Sequence, residues 1–202
     1  MKRYLPVLTA ALIGVAMCSC DENARLAKEI SGEWVGTPEN FTDNSALTAS
    51  IIDTYLFSPD TCTTSKCHAG PLVIDGMIST TTQIVGDSSF IEPISLTASA
   101  RSSIKGSWRV VDDDEILITL DPATITIDVD PSAIALNSTM VAGGKSPAID
   151  SLRPAVAANI GQSLRQALPI HYAGIRHLDD IKIKGALLKY EINDVDYVLT
   201  RQ

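Results

Sequence analysis

Apolar and polar residues alternate with a period of two through most of the chain, and the alternation gives way to a helical period only after Pro147. Alternation marks a strand with one face in a core, and spacing of three or four marks a helix. Residues 21–30 place Ala24, Leu26, Ala27 and Ile30 at helical spacing and predict a short helix. Ser31–Gly36 reads as a compact strand start, Thr37–Asn44 as a polar, turn-rich stretch, and Leu47–Phe57 as a strand rich in β-branched and aromatic residues. Leu72–Ile84 predicts another strand with Gly76 as a bulge, followed by a turn at Asp87–Ser89. Ile94, Leu96 and Ala98 alternate with Ser95, Thr97 and Ser99 and predict a half-buried strand.

After the acidic turn Asp112–Asp114, Ile116–Leu120 reads as a strand, Asp121-Pro122 as a turn, and Thr124–Val129 as the next strand. Gly143-Gly144 breaks the pattern. Leu152, Val156, Ile160, Leu164 and Leu168 then share one helical stripe. Ser146 is placed to cap that helix, Pro147 suits its first turn, and Pro154 is expected to kink it or split off a turn. Strand patterns return over Asp180–Ile192 and Val195–Arg201, with Asn193-Asp194 as a hairpin tip. The expected fold is mainly β: an antiparallel barrel or meander with one packed α-helix near residues 147–168.

The first residues have a different character. Lys2 and Arg3 precede an apolar run from Leu5 to Met17. That run is shorter than the roughly 20 residues of a membrane-spanning helix and has the form of a secretory signal. Ser19 before Cys20 fits lipoprotein processing better than Met17 before Cys18, which marks Cys20 as the lipidated residue and 1–19 as the signal. Residues 20–30 would be the tether and short helix, and 31–202 one domain with a helical insertion at 146–170. Removing 1–19 takes away Lys2 and Arg3 and makes the net charge of −8 two units more negative. No basic patch suits nucleic acid. The 45 % hydrophobic content is enough for a packed core.

Cys62 and Cys67 are left as a pair, and two nearby cysteines outside the cytoplasm usually oxidise to a disulfide. Two sharper readings stand beside it. Cys62, Cys67 and His68 form a spacing variant of a haem attachment motif, although the flanks read as strands and haem c domains are mostly helical. The same three residues would give zinc three ligands, with no fourth nearby. His171 and His177 lack the spacing of a metalloprotease pair and read as surface or hydrogen-bonded histidines. Asp112-Asp113-Asp114-Glu115 lacks the spacing and glycine of a calcium loop. Gly144-Lys145-Ser146 is an incomplete phosphate loop. No enzyme motif is present, so the expected function is non-enzymatic, with no metal and no cofactor.

The most specific feature is an internal echo. Ile30-Ser31-Gly32-Glu33-Trp34 and Ile104-Lys105-Gly106-Ser107-Trp108 share the frame Ile-x-Gly-x-Trp, and they hold both tryptophans of the chain. A glycine lets a strand bend or another backbone come close, and the Trp after it can plug a barrel. Ser31–Gly36 resembles the first strand of the lipocalin-like (calycin) group. With the tether and the second Gly-x-Trp, the chain is similar to lipocalin-like lipoproteins of uncharacterised function from Bacteroidetes. There, acidic residues after the lipidated cysteine, here Asp21-Glu22, accompany export to the cell surface; in enterobacteria an Asp at that place would imply inner-membrane retention. True lipocalins carry their helix after strand eight, whereas here it precedes the last hairpin.

The resemblance implies a barrel able to hold one small ligand, plugged by Trp34 and Trp108. Inward strand residues Ile51, Tyr55, Phe57, Ile118 and Ile127 are the candidate pocket. The expected function is a lipid-anchored envelope protein at the outer membrane, on its surface or periplasmic face, binding a small hydrophobic or amphiphilic ligand. The alternative is a filled barrel that serves as an interaction subunit of a cell-surface assembly. The 5 % aromatic content leans towards that alternative, because ligand pockets are usually lined by aromatic residues.

Overall fold

The computed structural model describes residues 22–43, 47–60, 68–84, 94–137 and 147–202. The signal 1–19, Cys18, Cys20, Cys62, Cys67, the turn at 87–89 and the Gly143–Ser146 segment lie outside the described residues. Helix α1 (22–30) leads into β1 (Gly32–Val35), β2 (Glu39–Asp43), β3 (Thr48–Phe57) and β4 (Ala69–Ile84). Then come β5 (Ile94–Asp112), β6 (Glu115–Val129), a 3-10 turn at Pro131–Ala133, and β7 (Ala135–Asn137). Helix α2 (Pro147–Ala173) precedes β8 (His177–Lys184), β9 (Leu187–Ile192) and β10 (Val195–Arg201).

Every pairing is antiparallel, and the neighbours β1-β10-β9-β8-β6-β5-β4-β3 return to β1, closing an eight-stranded barrel. The mainly-β fold with α2 packed on an antiparallel barrel, expected from the alternation, is therefore the fold observed, and it is consistent with a lipocalin-like architecture. β2 continues the row of β1 along the same edge of β3, and β7 meets the first residues of β5. The helix stands before the last three strands of the barrel.

The register puts the apolar phase of each strand inside. On β3, Ala49, Ile51, Tyr55 and Phe57 are buried, while Thr48 and Leu56 face out. Facing them across the ladder are Thr80, Ile78, Ile74 and Leu72 of β4, then Ala98, Ala100 and Ile104 of β5. Full burial of an aliphatic or aromatic side chain contributes about 1.5–3 kcal/mol, so this shared face holds the sheet in one register. α2 adds Ala157, Ile160, Leu164, Leu168 and Tyr172 at helical spacing, all in the same core cluster. Val156 is half-buried against it, and the side chain of Leu152 lies outside the described set.

Four local expectations differ from the structure. The stretch 37–44 contains β2; its polar residues hide a strand whose Phe41 alone packs on the core. Gly76 sits in unbroken register with Asp53 and Ser102 and is no bulge. Asp121-Pro122 does not reverse the chain. Asp121 Oδ1 accepts the Ala123 N–H and Thr124 Oγ1 accepts the Lys105 N–H, so the turn chemistry makes a register shift within one long β6. Finally, α2 runs through Pro154 and past residue 168 to Ala173.

Candidate ligand-binding site

The two Gly-x-Trp frames do the same job by different means. Trp34 and Trp108 are both buried, and each indole N–H finds a carbonyl: Ile30 O at 2.7 Å and Ser58 O at 3.0 Å. Arg201 of the last strand lies 4.4 Å over the Trp34 ring, and its guanidinium donates to Glu29 O. Gly32 has φ +124° with open space around it, so its requirement is conformational. At Gly106 the reason is proximity: a Cβ would lie 2.2 Å from Thr119 O.

The barrel interior beside these tryptophans is occupied. Ile51, Tyr55 and Phe57 are core residues, with Phe57 edge-on to Trp108 at 5.9 Å and near-parallel to Tyr55 at 6.1 Å. Ile127 is half-buried against the core beside Ser102. Ile118 is also buried, but it has a second role in a cleft described below.

A polar cluster that the sequence reading missed sits among these apolar layers. Asp53 takes the inward phase of β3 between Ile51 and Tyr55 and is buried. Its Oδ2 is 2.9 Å from His171 Nε2, and its Oδ1 accepts the Tyr172 hydroxyl at 3.2 Å. Tyr172 Oη also lies 3.1 Å from Ser102 Oγ. Gly76 makes this possible, because a Cβ there would meet Ser102 Oγ at 2.4 Å and Asp53 Oδ1 at 3.1 Å. Phe41 covers His171 with ring centroids 5.4 Å apart. Burial, followed by the Asp53 charge, pushes the Tyr172 hydroxyl above the ordinary phenol range. Desolvation raises the Glu39 carboxyl, with His171 opposing and Asp53 adding to the rise. Tyr55 and Tyr190 are hydrogen-bonded to each other, and burial raises both hydroxyls. The inward phase of Asp53 was the one available signal in the sequence; its partners lie more than a hundred residues away.

This cluster fastens the C-terminal end of α2 to β3 and β5, and the same end walls a cleft. β6 pairs with β8 only at Ile116–Leu178 and Leu117–His177, after which the Ile118 N–H donates to Arg176 O at 2.8 Å. Beyond that point the seam is bridged by the end of α2 and its turn, where Gly174 N donates to His171 O and Ile175 N to Tyr172 O. A cleft of about 350 Å³ remains, lined by Ile104, Leu117, Ile118, Leu120, Ile125, Pro169 and Ile175, with Tyr172 and Arg176 among its few polar members. Its size falls at the lower end of small-molecule sites, and its apolar walls with few polar groups match their usual chemistry.

The other sequence candidates are dispersed. His171 is committed to Asp53, whereas His177 contacts Glu115, so the two histidines do not converge. His68 is half-buried and its carbonyl accepts the Val110 N–H at 2.7 Å. Its relation to Cys62 and Cys67, and with it the disulfide, haem and zinc readings, lies outside the described residues. Asp112–Glu115 form the β5–β6 turn, where Asp112 Oδ1 accepts the Asp113 N–H. Among the described residues no three His, Cys, Asp or Glu side chains gather as metal ligands, and no helix is long and apolar enough to cross a membrane. No protein-family model and no curated protein matches the chain.

Proposed function

We propose that this protein is a lipid-anchored envelope binding module, lipocalin-like in kind, that holds a small apolar or amphiphilic molecule without transforming it. One observation carries the reading: the barrel lumen is filled by core side chains, yet an apolar cleft stays open where β6 parts from β8. The ligand therefore enters through the side of the barrel, beneath the end of α2. Lipidation at Cys20 would hold the barrel close to a membrane, where such molecules concentrate.

The test is native mass spectrometry and thermal shift with single-chain alkyl probes, on the wild-type chain and on Ala173→Trp. Ala173 is exposed and lines the cleft, so an indole there fills the cleft without disturbing the core. Binding by the wild type and its loss in the variant is the expected result. Equal binding by both would place the ligand elsewhere. A second reading, the assembly subunit, draws on the outer face of β3 and β4, where Met77 is 66 % and Leu56 40 % exposed. Self-association or capture that is abolished by Met77→Lys would favour it.

A further inference from the structure

The apolar cleft does not end in bulk solvent at every side. Ala173 and Arg176 line it and also line a second cavity of about 390 Å³, whose wall includes Asp179, Glu191 and Asp194. The two cavities meet at Ala173 and Arg176, with aliphatic walls on one side of this pair and carboxylates on the other. We propose that the paired cavities take a single-chain zwitterionic amphiphile whose head group carries its anion next to the chain and its cation beyond. This rests on the cleft being the ligand site and names the class of ligand.

Three observations support the order. Arg176 is exposed, and among the described residues no carboxylate lies within 4.0 Å of its guanidinium. Its backbone is fixed on both sides: its N–H donates to Gly174 O at 3.2 Å, and its carbonyl accepts from Ile118 at 2.8 Å. A planar donor fork on a residue whose backbone is fixed at the boundary of an apolar cavity suits a phosphate or carboxylate at the end of an alkyl chain. The second cavity has the opposite need. Of the two basic residues in its wall, His177 is taken by Glu115, and Arg176 shares the wall with three carboxylates. Desolvation, then the charges of Asp180, Asp196 and Asp194, raise the Glu191 carboxyl, and Lys182, itself paired with Asp180, opposes the rise without cancelling it. A positive group placed there would relieve that crowding, while a purely anionic head would meet it. The cleft volume suits one chain.

Four probes with the same ten-carbon chain separate the possibilities: decylphosphocholine, decanoate, decyltrimethylammonium and decanol, each below its micelle concentration. Titration calorimetry or native mass spectrometry on the intact chain reads the affinities. Decylphosphocholine should bind about tenfold tighter than the other three, the scale of one charge-assisted hydrogen bond. Arg176→Ala should bring it down to the level of decanol. Arg101→Ala, an equal change of charge on the outer face of β5 away from the cleft, should leave it unchanged. Decanol or decanoate binding as tightly as decylphosphocholine overturns the head-group assignment and leaves the cleft standing. Failure of all four probes overturns the cleft itself.

Discussion

Replacing Gly106 with alanine tests whether the second Gly-x-Trp frame exists for close packing of two backbones. The added Cβ would lie 2.2 Å from Thr119 O and 2.9 Å from Leu120 Cα, both main-chain atoms of β6. Neither can rotate away, so β6 must move off β5 where Gly106 faces Leu120, next to the register shift between Ser103 and Lys105. Overpacking of this kind costs about 1–3 kcal/mol, and one weakened ladder bond adds about 1 kcal/mol. Alanine returns about 0.5–1 kcal/mol because it has less freedom to lose on folding. The net expectation is a loss of about 2 kcal/mol. With a urea slope of about 2 kcal/mol per molar, the midpoint falls by about 1 M at unchanged slope. Leu120→Ala should not relieve it, because the carbonyl of Thr119 remains. Gly76→Ala provides the contrast, since its closest contacts are the side-chain ends Ser102 Oγ and Ile51 Cδ1. There Ser102→Ala should show a favourable coupling in a double-mutant cycle. A Gly106→Ala midpoint equal to or above wild type would refute the close-approach argument.

Two further substitutions probe the polar cluster. His171→Ala leaves the carboxylate of Asp53 buried with the Tyr172 hydroxyl as its remaining described partner. It should cost about 3 kcal/mol, whereas Asp53→Asn, which removes the charge itself, should cost less; the opposite ranking in thermal denaturation would sink the reading of Asp53 as a buried carboxylate that depends on His171. Glu39→Gln should stabilise the fold at neutral pH. Its carboxyl is raised in the folded chain, so its favourable contribution is full below the unfolded value of 4.5 and is lost as pH rises through the folded value. The advantage of the variant should therefore shrink towards acid pH, and a gap that widened there would contradict the sign.

Much of the barrel was legible because its strands obey one rule. The phase of Ile51, Tyr55 and Phe57, and that of Leu96 and Ala98, followed directly from alternation. β2 was not legible, because only Phe41 of its five residues packs on the core and the rest look like loop. The long β6 was divided at Asp121-Pro122 because the side-chain chemistry of a turn is also that of a bulge. Trp34 and Trp108 were found from a motif, but the polar cluster was not, since Asp53, Ser102 and His171 come together only through β3, β5 and the far end of α2. Ile118 was placed inside by its phase. That it also borders an opening depends on where β8 stops pairing, which no local pattern encodes.

The closure of the barrel has a consequence for how the chain reaches its native state. The strands whose pairing closes the ring are β1 and β10, with Trp34 opposite Arg201 and the Gln202 N–H donating to Glu33 O. Local hairpins such as β9–β10 can form as soon as they exist, but the ring is completed only by contacts between the two ends of the domain. Such a topology has high contact order, and the cost of loop closure falls before most of the compensating contacts form. A chain emerging N-terminus first would hold β1 unpaired with β10 until β10 itself was delivered. For that interval it is an open sheet with free edges, the state most exposed to pairing with other chains.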